Sequence, residues 1–250
     1  MEKIQISTQA DLEECVLKYG ILPFFRNNIS GFSVEEMAAP GILFGGNEFE
    51  GCWEWKGPVI RNRTAAYGKF FRKKAGFVSL ELLPYFLKMR REAYPVREGS
   101  PEEMIFDIIS INDSITSTDL REAIIGKPKR RSPYDLPEPS DNTASGNMRF
   151  SFSDEISQGP VKSLSRHSLE GPLQRLQMAG RICISDFQYK QTKKGERYGW
   201  GVAVYSTPEI LFNLTSSSLP AADECMERII EAVSSRFPSA TPSQLKKLLG

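Results

Sequence analysis

The chain has 250 residues, 40% apolar and 25% charged, with a formal net charge of +1. Affinity for a polyanion would therefore have to come from local clusters of cations rather than from the field of the whole molecule. Four scattered cysteines (Cys15, Cys52, Cys183, Cys225) without a CxxC pair, and a single histidine, His167, exclude the usual zinc spacings and fit reduced thiols. The opening residues have no basic-then-apolar leader pattern and no apolar run approaches a membrane span, so the expected compartment is the cytoplasm.

Residues 8–19 predict an amphipathic helix, capped by Thr8 and stopped by Gly20, with Leu12, Cys15, Val16 and Tyr19 on one face. A loop-rich stretch follows over 21–50, in which Ser33 can cap a short helix. Gly51–Arg91 is the most distinctive part of the chain. No acidic residue occurs between Glu54 and Glu81, while Lys56, Arg61, Arg63, Lys69, Arg72, Lys73 and Lys74 all fall there. The alternation in CWEWKGPVI, the polar RNRT and the run AAYGKFFRKKAGFVS predict a hairpin with its turn at RNRT. Trp53 and Trp55 read as core of that hairpin, and the cations as phosphate contacts. Ser79 can cap a following helix with Leu80, Leu83, Phe86 and Leu87 inward.

From Ser100 the pattern becomes helical. Ser100, Pro101 and Glu103 mark a capped start, with Met104, Ile105, Ile108 and Ile109 inward, and a second helix begins near Thr116 or Ser117 and stops at Gly126. Residues 127–163 read as a long insertion that opens with a second basic cluster, Lys127, Lys129, Arg130 and Arg131. His167 reads as exposed, with no nucleophile placed beside it. Ser168 then caps a third helix, LEGPLQRLQMAG, and two strands, RICISDFQY and YGWGVAVYS, flank a basic turn with Lys190, Lys193, Lys194 and Arg197. Three helices, a strand, a basic turn and a strand follow the order of a winged helix. The third helix would offer Gln174, Arg175 and Gln177 to base edges, and the wing would meet phosphates. Two further helices close the chain, over DECMERIIEAVSSRF and PSQLKKLL.

The runs WEWKGPVI, YGKFF, KAGFVS, LQMAGRI and DFQYK…KGERYGWGVAVYSTPE resemble the bacterial AlkZ-related proteins, remote relatives of the AlkZ/YcaQ DNA glycosylases. That resemblance implies tandem winged-helix domains, which would place the Gly51–Arg91 hairpin alongside the wing. In the glycosylases it also implies a Gln–hydrophobic–Gln or Gln–hydrophobic–Asp motif that positions water. Here Gln5–Ile6–Ser7 lacks the final group, and Gln9–Ala10–Asp11 falls in a helix start, so Gln9 and Asp11 are the candidates that remain and catalysis is not carried over.

The resulting expectation is an α+β protein of winged helix-turn-helix type. It has an N-terminal hairpin region at 1–98, a winged helix at 99–210 with the insertion between its second and third helices, and C-terminal helices at 211–250. It would bind duplex DNA without catalysis, cofactor or metal. Phosphate contacts would come from Arg61, Arg63, Lys69, Arg72, Lys73, Lys74, Lys190, Lys193, Lys194 and Arg197. The alternatives are a glycosylase acting on alkylated bases and a protein-interaction module on the same fold.

Overall fold

The computed structural model describes residues 4–46, 50–126, 169–192, 194–195, 197–215 and 218–250. The 127–163 insertion, His167, the Ser168 cap and Lys193 lie outside these.

The described elements fall into two stretches with the same order of parts. The first holds α1 (Gln9–Tyr19), β1 (Ile21–Pro23), α2 (Val34–Met37), α3 (Cys52–Arg61), β2 (Ala65–Phe71) and β3 (Lys74–Ser79). After α4 (Leu83–Ala93) the second holds α5 (Pro101–Ile111), β4 (Ser114–Thr116), α6 (Ser117–Ile125), α7 (Glu170–Met178), β5 (Cys183–Gln191) and β6 (Arg197–Ser206). In each, the short first strand pairs antiparallel with the last strand of its own unit, β1 with β3 and β4 with β6. The two three-stranded sheets meet where β2 pairs antiparallel with β5 at Tyr67 and Ile184, giving the single order β1-β3-β2-β5-β6-β4. The helices α8 (Pro208–Phe212), α9 (Ala222–Arg236) and α10 (Pro242–Leu249) follow.

Local chemistry explains most of these boundaries. Thr8 and Asp11 cap α1 reciprocally, Ser33 caps α2, Ser100 caps α5, Thr116 caps α6 and Thr241 caps α10. Glu103 accepts from the Gly99 N–H rather than from Ser100.

One element differs from the sequence reading. Cys52–Arg61 is a helix, and the hairpin lies wholly within residues 65–79, with its turn at Arg72–Lys73. The buried positions Cys52, Lys56, Val59 and Ile60 recur at helical spacing. Glu54, at the third helical position, accepts the Gly51 N–H at 3.1 Å and stabilises the start. Trp53 and Trp55 are therefore half-buried helix residues, not strand core. The next helix begins at Leu83 without a side-chain cap, and the Ser79 hydroxyl is buried without a partner among the described residues.

The joint between the units is clamped from both faces. The Tyr67 ring lies 6.2 Å from Phe187 on the face covered by α3. The next residue points the other way, and a Cβ on Gly68 would lie 3.4 Å from Gln177 Oε1 of α7. Each unit's third helix thus packs on the second strand of the other unit.

Beneath this joint lies Arg90 of α4, 1% exposed. Its Nε donates to Met178 O at 2.6 Å, Nη1 to Leu249 O at 2.5 Å and Nη2 to Phe70 O at 3.4 Å. Met178 and Leu249 are the last residues of α7 and α10, where helix carbonyls lack intrahelical partners and carry partial negative charge. Burial lowers the guanidinium pKa from its ordinary value, yet an arginine stays charged. No carboxylate among the described residues pairs with it. Two helix ends and the faces of Tyr94 (4.6 Å) and Phe86 (5.8 Å) compensate the charge instead.

Replacing Arg90 by Met keeps the bulk but leaves these carbonyls without a donor. The expected cost is about 3 kcal/mol, from roughly 1 kcal/mol or more for each buried carbonyl left without a donor. It would be read as a lower urea midpoint at unchanged slope. A loss below about 1 kcal/mol would contradict this account of the joint.

Candidate nucleic-acid interface

The β2–β3 turn projects from the clamped joint. Its two central residues, Arg72 (φ 49°) and Lys73 (φ 71°), are both in the left-handed region. Such two-residue turns match the twist of a hairpin, but sequences normally supply Asn-Gly there because side chains resist positive φ. Holding Arg and Lys in it costs about 1 kcal/mol or more at each position. Both are exposed, as is Lys69 on β2, and none of the three has an acidic partner among the described residues.

Two more cations join the tip. Lys74 Nζ donates to Arg26 O at 2.7 Å, and Arg26, with its side chain 72% exposed, pairs at 3.6 Å with Glu35. Arg26 gave no signal in the sequence, where it stands alone in PFFRNN. The pairing of β1 with β3, Pro23 opposite Gly76, carries it to the tip.

The other cations lie elsewhere. Arg61 is tied to Asp186 at 2.7 Å. Arg197 lies 3.9 Å from Glu50 and 5.3 Å from the Tyr189 ring. Lys190 and Lys194 are exposed beside the β5–β6 turn, and Arg63 is exposed at the end of α3 with φ 55°. Because β2 and β5 run antiparallel, their turns point to opposite ends of the sheet. At ~3.3 Å per residue, the turns are separated by ~45 Å along the strands. The β2–β3 and β5–β6 hairpins thus lie side by side through β2 and β5, but their basic turns are not neighbours.

The residues expected to face base edges divide. Gln177 is 2% exposed. Its Oε1 accepts from Lys69 N at 3.0 Å and its Nε2 donates to Leu173 O at 3.2 Å, so its amide serves the α7–β2 contact. The sequence reading of Gln177 as solvent-facing is thus corrected. Gln174 is half-buried and its Nε2 lies 3.4 Å from Lys73 O, at the edge of the tip. Arg175 is the exposed member and pairs through Nε with Glu102. At the N-terminus, the Asp11 carboxylate accepts from Ser7 N and Thr8 N, both at 2.9 Å, which lowers its pKa; it is committed to capping α1. Gln9, the first residue of that helix, is half-buried.

The class defined here is an α+β fold with one antiparallel sheet and a repeated order of elements. The chain belongs to the AlkZ-related family, whose model matches residues 6–250. Among solved structures it is similar to the Streptomyces sahachiroi DNA glycosylase AlkZ at 14% identity and a TM-score of 0.45, covering 99% of this chain and 60% of that one. The chain thus spans about 60% of that neighbour's length. No curated protein matches the sequence. Among the described residues, no helix is long and apolar enough to cross a membrane, and no group of three or more His, Cys, Asp or Glu is placed to hold a metal ion.

The α3 side of the joint carries a second buried cation. Lys56 is 2% exposed, with its ammonium 3.6 Å from the Trp53 ring centre and 4.6 Å from that of Phe187, and it donates to Trp53 O. Desolvation lowers its pKa from 10.5 to about 8, opposed weakly by Glu54. The aromatic faces favour the charged form and oppose the same shift. Below pH 8 the amine is charged in folded and unfolded chains alike. Between about 8 and 10.5 the unfolded chain holds the extra proton, so this group's contribution to stability rises with pH. Comparing unfolding free energies at about pH 7 and pH 10, the rise should be larger in the native protein than in Lys56→Met, by up to about 3 kcal/mol. Identical pH profiles would show that the amine is not desolvated at this joint.

Proposed function

We propose that the protein binds duplex DNA through the β2–β3 tip, as a tandem pair of winged-helix units, and that it does so without catalysing a reaction. The element order of each unit, with a hairpin following its third helix, supports the winged-helix reading. The observation that carries the DNA reading is the turn itself. It holds two unneutralised cations in a backbone conformation that disfavours them, beside Lys69, Lys74 and Arg26. Backbone strain retained at an exposed position points to function rather than to folding. A row of cations in which only Arg26 meets an acid, Glu35, suits a phosphate backbone. Asp11, spent on capping, supports the non-catalytic part. The β5–β6 turn, with Lys190, Lys194 and Arg197, serves as a second, more distant phosphate contact.

Replacing Arg72–Lys73 by Asn–Gly separates function from stability in one protein. The double variant should unfold at higher denaturant, by about 1 kcal/mol, because relief of strain at two positions is partly offset by the greater freedom of Gly in the unfolded chain. Its log affinity for duplex DNA should fall less steeply with log salt, by ~2 in slope, since each lost phosphate contact removes about 0.9. Stabilisation with an unchanged salt slope would reject the tip as a DNA contact and favour a protein-interaction module. Release of a modified base from an alkylated duplex, abolished by Asp11→Asn, would overturn the non-catalytic reading in favour of a glycosylase.

A further inference from the structure

A cavity of about 460 Å³ opens between the Tyr94–Ser100 linker and α7. Val96, Leu176 and Ala179 give it an apolar lining, with Tyr94 beside them. The Tyr94 ring is held in place, since its hydroxyl donates to Gly250 O at 2.9 Å and the Arg90 guanidinium backs it at 4.6 Å. Arg97 and Arg175 line the same cavity. Arg97 is exposed and has no ion pair among the described residues. Arg175 donates its Nε to Glu102, while its side chain stays 62% exposed. Glu102 is the acid of the site, with its side chain 16% exposed. The helix α7 connects the cavity to the basic tip, because Arg175 lines the cavity and its neighbour Gln174 reaches Lys73 O.

We infer that this cavity holds one unpaired nucleotide of a strand bound at the tip, an assignment that rests on the DNA-binding reading. Arg97 and Arg175 grip its phosphate, a task suited to the planar guanidinium fork. The base lies against Tyr94 and the apolar lining, and Glu102 accepts from an exocyclic amino group. The volume is within the range of small-molecule sites, and a fixed aromatic ring favours an unstacked base whatever its sequence.

The test compares two duplexes by fluorescence anisotropy at one salt concentration, one fully paired and one with a single bulged adenosine. The native protein should prefer the bulged duplex about tenfold, the size of one stacked base. Two variants then ask where the preference resides. Val96→Trp fills the cavity without touching a charge, and it should erase the preference while leaving affinity for the paired duplex within about threefold. Arg97→Ala with Arg175→Ala should erase it as well. Equal affinities in the native protein, or a preference that survives both variants, would overturn the nucleotide site and leave DNA binding at the tip standing. Absence of binding to either duplex at low salt would instead bring down the DNA reading and the site with it.

Discussion

A single buried guanidinium fixes how the molecule is assembled. Arg90 reaches the carbonyl ends of α7 and α10 and the backbone of β2 together, so three elements from distant parts of the sequence must converge on one side chain. A buried cation without a carboxylate is unfavourable unless enough oriented dipoles surround it. Helix C-termini supply such dipoles, and the demand is mutual, because the terminal carbonyls need donors as much as the guanidinium needs acceptors. The arrangement tolerates little displacement. The position of α7 on β2 is set by this contact and then locked by Gln177 on the Lys69 amide.

That locking decides which surface is left to meet a partner. With α3 pressed on β5 and α7 on β2, much of each third helix is used to join the two units. What projects freely is the hairpin tip, with cations on left-handed residues, and the adjoining edge of α7 at Gln174 and Arg175. A protein that needed only a stable hairpin would carry Asn and Gly at the turn. The strain at Arg72 and Lys73 is small beside the stability supplied by the joint, so the fold can sustain it. The cavity under Arg175 lies along the same edge, and its Tyr94 wall is held by Arg90.

Much of this was legible in the sequence because it depends on short-range chemistry. Thr8, Ser33, Ser100 and Thr116 announced their helices, and the runs RICISDFQY and YGWGVAVYS announced β5 and β6. The error at Cys52–Arg61 arose because Trp and Val favour strands when read singly, while the Cys52, Lys56, Val59 and Ile60 spacing that decides for a helix includes a lysine counted as polar. The hairpin turn was missed because Arg-Lys is not a turn pair by composition. The repeat of elements was hidden by the brevity of β1 and β4, each three residues long. Nothing local marks Arg90 as buried, or Arg26 as a neighbour of the tip, since both depend on contacts between distant segments. Of the candidate site, the cluster Lys69–Lys74 was readable as charge, whereas the commitment of Gln177 to packing was not.

Contact of DNA with the β2–β3 tip and the adjacent edge of α7 is tested most directly by residue-by-residue amide chemical shifts during titration with duplex DNA. The largest changes should fall on Lys69–Lys74 and Gln174. The outer face of α9, where Asp223, Glu224, Glu227 and Glu231 are exposed, should stay unchanged because its charge repels phosphate. Saturable shifts that centre on α9 while the tip stays silent would contradict DNA binding at the tip.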